Sequence, residues 1–258
     1  MQKANFILCR NSGNLNCSMK TGILRGMDIS MKKSEYENIE SYMLECMKDS
    51  AHDKEHIYRI LYMALGIAKY EKNVDPDILI AVCLLHDIGR EAQFRNPALN
   101  HAKVGGEQAY DFLVRNGWSD KRAWHVRECI TTHRFRSDHL PESIEAKILF
   151  DADKLDATGT LGIARTLIYK GQVSEPLYSL DENGNVSDGE NDTIPSFFQE
   201  YKFKLEKLYD KFFTRRGKQI AKERQASAIL FYESMLKEVK SCYSCGQTEL
   251  SGIFQGEG

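Results

Sequence analysis

The stretch CLLHDIGR, residues 83–90, closes an apolar run with a histidine and an aspartate side by side, and its reading decides the fold. Ala81, Val82, Cys83, Leu84 and Leu85 favour burial, and His86 and Asp87 follow them with no polar spacer. Burying a carboxylate without a partner is costly. Either a strong partner such as a metal ion meets the pair inside, or a helix ends there, with the pair at a wet terminus and Gly89 as the cap. These eight residues alone leave both readings open.

Outward from this stretch, helical periodicity dominates. It predicts helices over about residues 34–50, 55–71, 76–88, 101–116, 119–133, 142–156, 158–170, 195–213 and 215–240. Asp75-Pro76 supplies an N-cap and first-turn pair, and Ser119 and Pro141-Glu142 are similar start signals. The β-branched runs are short and fall at helical spacing, so the expected fold is an all-α helical bundle. Residues 171–195, GQVSEPLYSLDENGNVSDGENDTIP, are rich in turn residues and acids and leave room for a small hairpin.

The phase of the histidines bears on the opening question. His56 begins a stripe continued by Ile60, Met63 and Ile67; His86 shares one with Leu79 and Val82, and His133 one with Val126 and Ile130. A lone inward histidine is usually a satisfied core residue. Inward histidines on three separate helices, one of them beside Asp87, favour ligands. In ILFDADKLDATG, residues 148–159, Asp151, Asp153 and Asp156 are embedded among Ile148, Leu149, Phe150 and Leu155, too apolar for a solvated acidic face. Buried carboxylates repel unless cations lie between them. A divalent ion and Lys154 would supply those cations, and mixed imidazole and carboxylate ligands suit Mn²⁺, Fe²⁺, Zn²⁺ or Co²⁺ better than Ca²⁺. Ligands drawn from several helices of a bundle put the site between helices.

Composition sets the bounds. The chain has 258 residues, 42% of them hydrophobic, enough for a sizeable core. A net charge of −2 asks for neither nucleic acid nor an acidic membrane as main partner, and no run approaches the length of a membrane span. Seven scattered cysteines, with Cys46, Cys83 and Cys129 among core-like residues, suit reduced thiols and a cytoplasmic location. Cys242 and Cys245 form half a zinc site with no well-spaced second half in Cys9 and Cys17. Residues 1–31 lack both a signal-peptide core and periodicity and are expected to form a flexible tail, with Met19, Met27 and Met31 as alternative starts. Residues 32–240 would form the domain and residues 241–258 a second flexible tail.

The order His56, His86-Asp87, Asp153 resembles the H…HD…D signature of the HD-domain superfamily of metal-dependent phosphohydrolases, over about residues 34–240. AHDKEHIYRI resembles the opening helix of the bacterial single-domain members, LLHDIGR the doublet helix, EAKILFDADKLDATGTLGIAR the closing stretch and RRGKQIAKER the C-terminal helix. The group it is most similar to is related to a nucleoside triphosphate pyrophosphohydrolase. The resemblance implies an HD-domain bundle with His56, His86, Asp87 and Asp153 as metal ligands. Asp151 is the second choice to Asp153, and Asp156 is a supporting carboxylate. HAKVGG, residues 101–106, also resembles a stretch of bacterial dinucleoside polyphosphate hydrolases, where extra histidines hold a second metal. His101 and His133 are therefore expected either to hold a second ion or, the preferred role, to contact substrate phosphate or donate a proton.

The expected function is metal-dependent hydrolysis of a nucleotide or related phosphate ester or anhydride, with Mn²⁺, Fe²⁺, Co²⁺, Zn²⁺ or Mg²⁺ activating the water that attacks phosphorus. Lys154 is expected to bind the phosphate, with Lys103, Arg134 and Arg136 as weaker candidates. Arg59, one turn after His56, would orient a ligand carboxylate. His125 and His139 read as surface or loop residues. The absence of a G-Y-P stretch argues against a cyclic-dinucleotide phosphodiesterase. Two other readings are a two-iron HD-fold oxygenase, which the extra histidines would permit, and a nucleotide-binding regulatory module. The protein would act on a small molecule as a monomer or homodimer.

Overall fold

The computed structural model describes residues 30–47, 54–134 and 140–255. Among them it is all-α: α1 (Lys33–Cys46), α2 (Lys54–Ala68), α3 (Pro76–Leu85), α4 (Arg90–Arg95), α5 (His101–Arg115), α6 (Asp120–Thr131), α7 (Ile144–Leu155), α8 (Gly159–Gln172), α9 (Phe197–Phe203) and α10 (Arg215–Gln255), with a 3₁₀ turn at Leu205–Lys207. The central element is α3. Asp75 caps it, its carboxylate accepting from the backbone N–H groups of Asp77 (3.0 Å) and Ile78 (3.1 Å), and Pro76 fills the first turn without wasting a donor. It is apolar nearly all round, and α1, α2, α6 and α7 pack against it. A helix buried on every side must be hydrophobic on every side.

The main core joins α1–α3 and α5–α7. A second, smaller core lies under the C-terminal part: Ile163 of α8, Val186, Phe197, Phe198 and Tyr201 of α9, Leu205, and Ala228 and Tyr232 of α10, with Tyr201 and Tyr232 stacked at 4.0 Å. Asp151 of α7 pins the entry to α10, its carboxylate accepting from Phe213 N (2.9 Å), Thr214 N (2.7 Å) and Thr214 Oγ1 (2.6 Å).

Several expectations need correction. The doublet helix stops at Leu85, and α4 begins after Gly89. The helix expected over 195–213 is α9 and the 3₁₀ turn only. The hairpin expected within 171–195 reduces to one antiparallel bridge, Leu180 to Val186. Instead of ending at 240, α10 continues through the expected C-terminal tail to Gln255. Extending an existing helix requires no new nucleus, so Gly246 and Gly252 weaken it without stopping it. The N-terminal tail lies outside the described residues except for Ser30 and Met31. Both are held by Asp77, which accepts from Met31 N (3.1 Å), Ser30 N (3.3 Å) and the Ser30 hydroxyl.

Candidate metal centre

The turn after α3 carries the doublet inward. His86 is the C-cap residue and Asp87 follows, both buried. The turn can be tight because two glycines touch across it. A Cβ on Gly89 would lie 2.3 Å from the His101 carbonyl oxygen and 2.6 Å from Gly105 N. That approach seats the start of α5, and with it His101, against Asp87. Asn100 caps α5 through Ala102 N at 3.1 Å.

Six side chains from five segments meet here. His56, His86 and Asp153 form one triad, and Asp87, His101 and His133 a second, the ligand atoms of each lying within 4.8 Å of one another. Asp87 stands between them. Its Oδ2 is 3.6 Å from His86 Nε2 and 3.8 Å from His56 Nε2, and its Oδ1 is 3.6 Å from His101 Nε2 and 3.7 Å from His133 Nε2. Asp153 Oδ1 is 3.5 Å from His56 Nε2.

The outer nitrogen of each histidine fixes its tautomer. Nδ1 of His86 donates to the Cys83 carbonyl (2.8 Å) and Nδ1 of His133 to the Ile130 carbonyl (2.6 Å). Nδ1 of His101 donates to Gln93 Oε1 (2.6 Å) and Nδ1 of His56 to Asp156 Oδ2 (2.7 Å). Carbonyls and an ionised carboxylate only accept, so each Nε2 turns a lone pair inward. Burial holds the His86 imidazole below its ordinary pKa, and pushes His133 down to about 4 and His101 to about 3. Burial works against ionised Asp87 and Asp153, but the Arg90 guanidinium beside the first and the Lys154 ammonium beside the second hold both well below the usual carboxylate range.

Four imidazole lone pairs and two carboxylates thus converge on one buried space. His86 Nε2, His101 Nε2 and Asp87 Oδ1 have no hydrogen-bond partner. An acceptor-only cluster is repulsive until cations enter it, so the donor set fits divalent metal.

The supporting residues only partly follow expectation. Arg59 does not reach a ligand carboxylate. It forks onto Asp156 (Nε to Oδ1 2.8 Å, Nη2 to Oδ2 3.1 Å), which holds His56 and also accepts from Arg165. Burial works against ionised Asp156, but His56 and Arg59 hold it down at about 2. Asp151 is engaged at the entry to α10 and belongs to neither triad. Lys154 Nζ pairs with Asp153 Oδ2 at 2.8 Å. His125, expected at the surface, is only partly exposed and lies 3.2 Å from Glu145 Oε2. Arg136 and His139 lie outside the described residues.

A cavity of about 470 Å³ opens on His56 and Asp153. Six cationic side chains line it: Arg90, Lys154, Arg165, Lys204, Lys207 and Lys211, with Phe150 and Phe203 as aromatic walls. His101 and His133 do not line it and are buried behind Asp87. Apart from Lys154, the sequence reading missed these cations. Arg90 stood at the end of the opening stretch, 2.9 Å from Asp87 in the structure, but the lysines after α9 carry no local signal. Among the described residues no thiol joins the site: Cys242 and Cys245 are exposed and free, and Cys9 and Cys17 lie outside the described residues. No helix is long and apolar enough to cross a membrane among the described residues.

Comparison with known proteins agrees with this geometry. The family model of the HD domain matches residues 54–158. The protein YpgQ of Bacillus subtilis (strain 168) is 29% identical over 209 residues, 79% of this chain and 93% of that one. An HD-superfamily hydrolase from Bacillus thuringiensis superposes with a TM-score of 0.62 at 28% identity, covering 81% of this chain and 98% of its own. YpgQ in complex with ADP superposes with a TM-score of 0.61 at 25% identity, covering 80% and 95%. The histidine and aspartate order, the HD domain matched over residues 54–158 and the shared fold make this chain similar to HD-superfamily hydrolases.

Proposed function

We propose that the protein is a divalent-metal phosphohydrolase acting on a nucleotide. The carrying observation is the cavity: six cationic side chains and one lining carboxylate, Asp153, around the mouth of the metal centre. Such an excess of positive charge suits a phosphate chain. Phe150 and Phe203 offer faces for a base. The ADP complex of YpgQ, similar in fold, supports a nucleotide. His56, His86, Asp87 and Asp153 would hold one ion, and His101 and His133 with Asp87 a second. Burial away from the cavity favours this ligand role for the latter pair over substrate contact. A divalent ion supplies Lewis acidity, lowering the pKa of water and polarising a phosphoryl oxygen. Lys154 and Arg90 are tied to Asp153 and Asp87 and place positive charge beside the phosphate. Arg165 sets charge on the same wall, and the lysines after α9 receive the outer phosphates. The buried free thiols of Cys83 and Cys129 support a reducing, cytoplasmic setting.

One observation favours a second reading. Six side chains in two triads, with Asp87 of one also facing the other, suit a two-iron oxygenase as well. The protein loaded with Mn²⁺, Co²⁺ or Mg²⁺ is expected to release phosphate or pyrophosphate from members of a nucleotide panel. Release from none, with oxygen consumption by the iron-loaded protein, would replace the first reading by the second.

A further inference from the structure

A second groove, of about 510 Å³, runs between α2 and α10 and shares no lining residue with the metal-side cavity. From α2 it takes Arg59, Tyr62, Met63 and Gly66, and from the turn that follows Lys69 and Tyr70, which continue the same three- and four-residue spacing. From α10 it takes Arg216, Ile220 and Arg224, and Asp156 and Leu161 complete the lining. Gly66 leaves space in it, since a Cβ there would meet nothing within 4 Å.

The charge is one-sided: four cations line the groove against one carboxylate, and that carboxylate, Asp156, is already held by His56, Arg59 and Arg165. Lys69 forms no ion pair among the described residues, and Arg216 reaches Glu223 only at 3.5 Å. Arg216 lies over the Tyr70 ring at 5.5 Å. Tyr62 and Tyr70 are 65% and 68% exposed, large aromatic faces left in water beside uncompensated positive charge. Aromatic faces next to cations bind ligands that join a planar ring to an anion.

We propose that this groove is a second ligand site, for a small phosphorylated molecule carrying an aromatic ring, with the chemistry of a nucleotide. Lys69 and Arg216 meet its phosphates, and Tyr62 and Tyr70 flank its ring. The site has a route to the metal centre. Asp156 is held between Arg59, on the groove wall, and Arg165, on the cavity wall, and fixes His56. A ligand in the groove therefore bears on the residue that orients a metal ligand, the geometry expected of an effector.

The test is calorimetric titration of ADP into metal-free full-length protein, and it does not depend on turnover. Wild type is compared with the double variants Lys69→Ala/Arg216→Ala, in the groove, and Lys204→Ala/Lys207→Ala, in the cavity. Far-UV spectra and melting curves verify that each is folded. The expected result is an ADP binding event weakened at least tenfold by the groove substitutions and unchanged by the cavity substitutions. Tyr70→Ala should weaken ADP at that site more than inorganic pyrophosphate. No ADP event, or events that all survive the groove substitutions, or a single event lost in both double variants, would overturn the proposal. Failure of the hydrolase reading would appear instead in the phosphate-release assay.

Discussion

Gly89→Ala is a sharp test of how the metal centre is assembled. The new Cβ would sit 2.3 Å from the His101 carbonyl oxygen and 2.6 Å from Gly105 N, where ordinary contact begins at 3.4 Å. Both obstacles are backbone, so no side chain can swing away. The start of α5 must retreat by roughly 1 Å, a displacement that in a catalytic site costs about a hundredfold. His101 travels with it, away from Asp87 Oδ1, now 3.6 Å distant. Overpacking of this kind costs about 1–3 kcal/mol, which for a domain of this size lowers Tm by roughly 2–12 °C. Gly66→Ala is the control: no atom lies within 4 Å of its Cβ, and replacing a mid-helix glycine should gain about 0.5–1 kcal/mol. Differential scanning calorimetry and metal analysis after Mn²⁺ loading give the two readouts. A Gly89→Ala protein that melts with wild type and keeps its full metal load would refute the idea that the glycine contact seats His101.

Further outcomes follow from the same geometry. Asp87→Ala should remove tight metal binding altogether, because its two oxygens face both triads; equilibrium dialysis against Mn²⁺ checks it, and a full load would disprove it. His101→Ala should lower stoichiometry from two ions to one, whereas an unchanged stoichiometry with slower turnover would return His101 to a substrate role. Lys154→Met should keep its metal and lose about one to three orders of magnitude in kcat/KM. A lower Tm with unchanged kinetics would make Lys154 purely structural. The His125 pKa is raised to about 10 by the Cys129 side chain and by Glu145. Its contribution to stability is therefore full below the unfolded value near 6.5 and lost as pH rises through about 10. Melting curves from pH 7 to 10 should fall more steeply for wild type than for His125→Gln, and parallel curves would contradict the pairing.

Much of this was legible in the residues because the site is built from repeated local signals. His56, His86 and His133 announced their inward direction by sharing phase with apolar neighbours. Asp75-Pro76 marked the start of α3, and the apolar run before His86 required a buried helix. Three aspartates on one apolar helix, by contrast, gave no phase to separate them. Only tertiary contacts do so: Asp153 faces the imidazoles, Asp151 meets the entry to α10, and Asp156 meets Arg59. Lys204, Lys207 and Lys211 escaped notice because a surface lysine looks the same in sequence whether it faces solvent or a cavity. The length of α10 was underestimated because Ser and Gly were weighed as if that stretch had to start a helix rather than continue one.

The pin made by Asp151 has an evolutionary consequence. The imidazoles and carboxylates of the two triads stand on, or directly after, helices of the main core, while the lysines over the cavity belong to the α9 region, which rests on its own smaller core. Asp151 ties the entry to α10, which packs on that smaller core, to the helix that bears Asp153. Mutation can therefore remodel the lysine rim, in charge, length or aromatic content, without disturbing the two triads. On the function proposed above, a lineage built this way can drift from one phosphorylated compound to another through changes in the α9 region alone, the half that would hold the metal inherited intact.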